Sequence, residues 1–234
     1  MLTKRERRQL RRQERAAAAA SAGRSQTRRR FLIWGGSILI LALVVFGLSR
    51  LTNKAPAGPV GTPATVTERD WIKGNREARV TLIEYSDFQC PACGAAFPAV
   101  QEIMRELGDR VRFVYRHFPL PQHKQAKLAA AAAEAAGKQN KFWEMHDRLF
   151  ERQREWSDQG GARELFLGYA RDLGLDLNKF PAELEAAEAD DKIRADQESG
   201  WGAGVNATPT FFLNGVRHTG NFAALRDAVA AAVK

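Results

Sequence analysis

Two cysteines, Cys90 and Cys93, are the only ones among 234 residues, and they stand three positions apart in "YSDFQCPACGAAFP", residues 85–98. A pair at this spacing can serve as a structural bridge, as half of a metal site, or as a dithiol that exchanges electrons with other proteins. A bridge closing so short a loop would constrain the unfolded chain little. Structural zinc takes four ligands, usually from a second cysteine pair or from two histidines. No second pair exists, and His117, His123, His146 and His218 are read as surface or packing residues. Redox exchange is the chemistry that remains, and it requires one sulfur to ionise readily.

The elements around the pair suit that task. "RVTLIEYSDF", 79–88, is rich in β-branched and aromatic residues and reads as a strand. From Cys90 to Leu107 the pattern turns helical, with Pro91 in the first turn, where a missing N–H costs nothing. Cys90 then sits at the helix N-terminus and Cys93 one turn in, on the same face, within reach of disulfide geometry. Unsatisfied N–H groups and the macrodipole at that end favour a thiolate. Cys90, the more exposed of the two, is the expected nucleophile, and Cys93 would resolve the mixed disulfide.

"RVRFVYRHF", 110–118, alternates as a second strand, so strand, helix and strand form a parallel βαβ unit. A helical block follows. It opens with the alanine-rich "HKQAKLAAAAAEAAGKQ", with Gly137 as the expected stop. Phe142, Met145, Leu149 and Phe150 share one helical face, and Leu165, Phe166, Tyr169 and Leu173 share another. One or two more helices are expected up to Val205. "TPTFFLNGVRHTG", 208–220, reads as a hairpin turning at Asn214–Gly215. A last amphipathic helix follows, with Asn221 as its N-cap. The fold class is α/β, in the order βαβ, helical block, ββα.

Charge is distributed unevenly. Residues 1–30 hold eleven Lys/Arg against two Asp/Glu and account for the whole formal net charge of +9, leaving the rest neutral. A basic groove on the folded domain, and hence nucleic-acid binding, is not expected. "FLIWGGSILILALVVFGLS", 31–49, is nineteen residues without a charge, long enough to span the hydrocarbon core as a helix. The positive-inside rule keeps the tail 1–30 in the cytoplasm and sends the remainder out. The tail would rest against anionic lipid. An uncleaved anchor is expected ahead of a cleaved signal peptide, whose apolar region is usually shorter. "TRRRFLI", 27–33, is also similar to a twin-arginine export signal. The Pro/Gly-rich segment 50–66 reads as a linker to a domain covering 67–234.

The stretches "KGNREARVTLIEYSDFQCPACGAAFP", "VRFVYRHFPLPQHKQAKLAAAAAEAAGKQNKFWEMHDRLF" and "GVNATPTFFLNG" together resemble the membrane-anchored, DsbA-like thiol–disulfide oxidoreductases of bacteria. The resemblance covers nearly all of 70–232. It implies a thioredoxin fold with a helical insert at about 121–203, and location of the domain outside the inner membrane. It implies that Cys90 is the nucleophile and Cys93 the resolving cysteine. It also implies a cis Pro209 facing them, with the backbone of Thr208 offered to an extended substrate; a trans proline opening a strand is the plain alternative. Glu84 matches the family's buried acid, a proton relay for Cys93, although a solvent-facing strand residue would read the same way. Pro98 resembles the proline that kinks the active-site helix. Phe88, Ala92 and Phe97 are expected to form an apolar substrate groove.

No cofactor or metal is implied beyond the redox-active Cys90–Cys93 disulfide. The implied partners are cysteine-containing protein substrates and a membrane protein that resets the dithiol. One departure from the family pattern bears on direction. Strongly oxidising members carry Cys-Pro-His-Cys, and Ala92 stands here in the histidine position. A thiolate stabilised less gives a potential below the oxidising end of the range of about −270 to −120 mV. Disulfide formation is the first reading. Reduction or isomerisation at the same site, and a non-catalytic binding module or chaperone, are the alternatives.

Overall fold

The computed structural model describes residue 63 and residues 65–234, apart from the side chains of 187–190. The basic tail, the expected span at 31–49 and most of the linker lie outside the described residues. Among the described residues, no helix is long and apolar enough to cross a membrane.

Five strands form one sheet: β1 (Trp71–Gly74), β2 (Val80–Ser86), β3 (Val111–His117), β4 (Thr210–Leu213) and β5 (Val216–Arg217). Their order across the sheet is β1-β3-β2-β4-β5. Only β2 and β3 run parallel, with Leu82 beside Phe113, Glu84 beside Tyr115 and Ser86 beside His117. Helix α1 (Pro91–Leu107) connects them. Between β3 and β4 lies an all-helical insert: α2 (Ala126–Lys138), α3 (Phe142–Glu151), α4 (Gln153–Trp156), α5 (Ala162–Asp172), α6 (Phe180–Glu185) and α7 (Ala187–Gly202). Helix α8 (Phe222–Ala232) closes the chain, and Asn221 caps it by accepting the Ala224 N–H at 2.9 Å. The β4–β5 hairpin turns at Asn214 and Gly215, both at positive φ, as that dipeptide requires.

Strand alternation divides the apolar residues between two cores. Leu82, Phe113 and Tyr115 join Cys93, Ala96, Val100 and Ile103 of α1 and the alanines of α2 in the larger one. Ile83, Tyr85, Val114 and Phe212 point the other way into a smaller one. That second face is tied by charge. Arg116 of β3 donates from Nε and Nη2 to the two carboxylate oxygens of Asp70, each at 2.9 Å. It also donates to the Tyr85 hydroxyl at 2.9 Å and to Ser199 Oγ of α7 at 3.0 Å.

Edge strand β1 has no counterpart in the sequence reading, and two local expectations need correction. The edge strand β1 carries no alternation that marks it, because its Trp71 and Ile72 are both half-buried. Gly137 does not stop α2. It lies within the helix, where a Cβ would overlap the Trp71 ring. The stop is Asn140 at φ +62°, and the N–H groups of Asn140 and Lys141 close the helix on the Gly137 and Ala136 carbonyls. Phe88 does not line a groove. It is 1% exposed, stacked on Tyr115 and packed against Phe150, whereas Ala92 is exposed and Phe97 half-buried.

Candidate active site

Cys90 is the N-cap of α1, in extended conformation at φ −69° and ψ 123°, with Pro91 opening the helix. Its side chain makes no cap, so the sulfur is left to face the free N–H groups of the first turn. Cys90 is 7% exposed and Cys93 fully buried, and both are free thiols. The hydrogen bond from Cys93 holds the Cys90 thiol well down, to about 5. Burial opposes this, while Thr208 and the backbone N–H groups of Cys93 and Ala92 assist it. Cys93 moves the other way: burial raises it, and so do its bond to Cys90 and the negative charge of Glu84. The two sulfurs are thus driven apart, the Cys90 thiol toward ionisation and the Cys93 thiol toward its protonated form.

Across the site the Thr208–Pro209 bond is cis. Cys90 Sγ lies 3.5 Å from the Thr208 carbonyl oxygen, and Thr208 itself is buried. The Thr208 hydroxyl has no other partner. Thr208 and Cys90 meet because β4 pairs antiparallel with β2, so the start of β4 lies at the end of β2 from which α1 departs.

Glu84 is buried within β2, 4% exposed, and burial pushes its carboxyl up to about 7. It shares the core-facing side of the sheet with Ser86 on its own strand and with Tyr115 and His117 on β3. Ser86 Oγ, the Tyr115 hydroxyl and His117 Nδ1 are buried without hydrogen-bond partners. Sequence reasoning misses this polar strip as a whole, although the period-2 spacing of Glu84 and Ser86 is a signal that places them together. His117 and His123 stand at a spacing that zinc sites use, but they point to different acids. His117 Nε2 lies 2.8 Å from Glu134, and His123 Nδ1 lies 2.7 Å from Asp87. Among the described residues, no three His, Cys, Asp or Glu side chains gather as metal ligands.

The segment before the cysteines is held by the insert. Asp87 accepts from the N–H groups of Gln89 and Leu120, each at 2.8 Å. Gln89 accepts from the Gln125 N–H at 2.6 Å and donates to the Ser157 carbonyl at 2.5 Å. Gln153 donates to the carbonyls of Phe88 at 2.7 Å and Cys90 at 2.8 Å. Beside the helix start, an open cleft of about 610 Å³ runs between Pro91, Gly94 and Ala95 on one side and residues 150–155, 157 and 158 on the other.

A parallel βαβ unit, a ββα unit, and a cysteine pair at a helix start opposite a cis-proline define a thioredoxin-fold dithiol protein. A thioredoxin family model matches residues 66–231, and the chain belongs to that family. A thioredoxin-like oxidoreductase from Silicibacter pomeroyi DSS-3 is 31% identical, with a TM-score of 0.61 over 71% of this chain and 93% of that one. The DsbA-like neighbours share the fold: alpha-DsbA1 from Wolbachia pipientis is 22% identical, with a TM-score of 0.61 over 73% of this chain and 95% of that one. Among curated proteins, the Na(+)/H(+) antiporter NhaA 1 of Salinispora arenicola is 46% identical over 169 residues, which is 70% of this chain and 25% of the antiporter. The chain thus spans between a quarter and a third of the length of the curated relatives it matches.

Proposed function

We propose that the chain exchanges thiols and disulfides with proteins outside the cytoplasm, most directly by forming disulfides. One observation carries the reading: Cys90 caps the start of α1, with Cys93 buried one turn behind it and the cis Thr208–Pro209 bond across from them. In the oxidised protein, a substrate thiolate attacks Cys90 Sγ. The Cys90–Cys93 bond breaks and Cys93 leaves with the electron pair, taking up a proton. The substrate's second thiolate then attacks its own bonded sulfur and expels Cys90 as the thiolate. Two electrons pass to the dithiol and one disulfide appears in the substrate. A stabilised Cys90 thiolate is a good leaving group, which favours this direction. Glu84, buried beneath Cys93 and with its carboxyl near 7, is suited to passing the proton.

The proposal extends to location and partners. Segment 31–49 anchors the chain in the bacterial inner membrane, with 1–30 on the cytoplasmic lipid surface and the folded domain beyond the membrane. A membrane protein that accepts two electrons resets the pair. The disulfide itself is the only redox group proposed. Ion transport is not proposed, because the chain matches only part of the antiporters' length.

The experiment is equilibration of the full chain with glutathione buffers, with thiol trapping in growing cells. Exchange is expected in the wild type and absent in Cys90→Ser, and Cys93→Ser should accumulate a mixed disulfide. A mostly oxidised pair in cells supports the oxidase. A mostly reduced pair supports a reductase or isomerase fed by a membrane electron donor. Unaltered cellular activity in Cys90→Ser would leave a binding module or chaperone.

A further inference from the structure

The turn carrying Cys90 is not held by α1 alone. Its carbonyls at Phe88 and Cys90 both accept from Nε2 of Gln153, which lies sixty-odd residues further along, at the start of α4. The Cys90 carbonyl also receives the Gly94 N–H at 3.1 Å, as the first bond of the helix. One side-chain amide therefore spends both its donors on the two carbonyls that frame the reactive residue. Room for it comes from Gly94. A Cβ there would overlap Gln153 Oε1 and crowd its Cδ, and the next nearest atom is Nε2 of the same residue. The glycine after the second cysteine and the glutamine of the insert thus fit each other.

We propose that Gln153 is a positioning residue for the dithiol: by pinning the Phe88 and Cys90 carbonyls it fixes the turn that sets Cys90 against Thr208 and over the first-turn N–H groups. Its meaning for catalysis rests on the exchange activity proposed above. The physical argument concerns charge. A thiolate at a helix start is stabilised by N–H dipoles aimed at it and destabilised by carbonyl dipoles left uncompensated beside it. Gln153 compensates the Phe88 carbonyl, adds a second donor to the Cys90 carbonyl that the Gly94 N–H already engages, and restrains both. Gln89 ties the same turn to the insert through Gln125 and Ser157. The insert therefore acts on the cysteine chemistry through two glutamine amides.

The test is the pH midpoint of Cys90 alkylation in the reduced full-length chain, read in Gln153→Leu and Gly94→Ala. Removing the amide should raise the midpoint by about one unit, a roughly tenfold loss of thiolate at a given pH below it. The glutathione equilibrium constant should move about tenfold toward the oxidised protein, equivalent to about 30 mV. Gly94→Ala is the decisive variant. A glycine-to-alanine change inside a helix ordinarily only favours the helix, whereas here the new methyl displaces the amide and should reproduce the Gln153→Leu midpoint. The double variant should go no further than either single one. A wild-type midpoint in Gly94→Ala overturns the proposal, as do additive shifts in the double variant. Should Gln153→Leu fail to fold, the Gly94→Ala midpoint decides alone. If the wild type fails to equilibrate with glutathione, the exchange reading falls, while the alkylation midpoint still reports on the clamp.

Discussion

Cys90 Sγ lies 3.5 Å from the carbonyl oxygen of Thr208, a residue separated from it in sequence by the entire helical insert. Thr208 also brings a hydroxyl with no other partner, and that side chain helps hold the Cys90 thiol near 5. Thr208→Val keeps the shape and removes the donor. The Cys90 midpoint, followed by thiolate absorbance against pH, should rise by about one unit, the weight of one hydrogen bond to a charged group.

Glu84 makes stability fall with rising pH. Burial holds its proton in the folded chain up to about 7, whereas the ordinary value is 4.5. Between those two pH values the unfolded chain has released a proton that the folded chain keeps. The fold loses about 3 kcal/mol across that window and no more above it. Glu84→Gln removes this contribution and leaves the opposite one from Cys90, whose folded value near 5 lies below its ordinary 9.0. Urea unfolding of the two proteins should diverge between pH 4.5 and 7, with the variant relatively more stable on the alkaline side. Parallel curves would mean that the folded chain does not hold this proton.

Gly137 should reject a methyl group. Trp71 stacks on Phe142 at 4.2 Å, donates to Glu134 at 2.7 Å, and lies where a Cβ on Gly137 would go. In an exposed helix Gly→Ala stabilises by about 1 kcal/mol. Here Gly137→Ala should destabilise by about 1–3 kcal/mol through overpacking. A higher thermal midpoint in the variant would contradict the contact.

The Asp70–Arg116 pair should be costly to break from one side. Both side chains are almost wholly buried, at 4% and 3% exposure. Although burial opposes the charge, the hydrogen bonds and charge of Arg116 hold the Asp70 carboxyl below its ordinary 3.8. Asp70→Ala leaves the guanidinium without its carboxylate and should cost about 3–5 kcal/mol in denaturant unfolding. The wild-type contribution is present above pH 3.8 and disappears as pH falls through the depressed value, so the two proteins should converge in acid.

What can be read from the sequence follows the range of the interactions. Strands β2 and β3, helix α1 and the Asn214–Gly215 turn are legible because alternation, Pro91 and an αL dipeptide are local signals. The cysteine pair is legible from its spacing, and burial of Glu84 and the cis Thr208–Pro209 bond follow from the family pattern. Gln153 is not legible. A glutamine carries no periodic or positional signature, and its partners Phe88 and Cys90 are brought to it only by the insert. Phe88 misleads because an aromatic residue beside a cysteine reads the same whether it faces solvent or Tyr115. Gly137 misleads because helix-ending glycines and glycines admitting a neighbouring ring are identical in sequence.

The sheet's two borders are short: β1 has four residues and β5 only two. A long bare margin of backbone N–H and C=O groups invites loose polypeptide to stack on as an extra strand, and from there to aggregate. With so little ladder at either rim, the described residues offer unfolded chains few backbone groups on which to graft themselves.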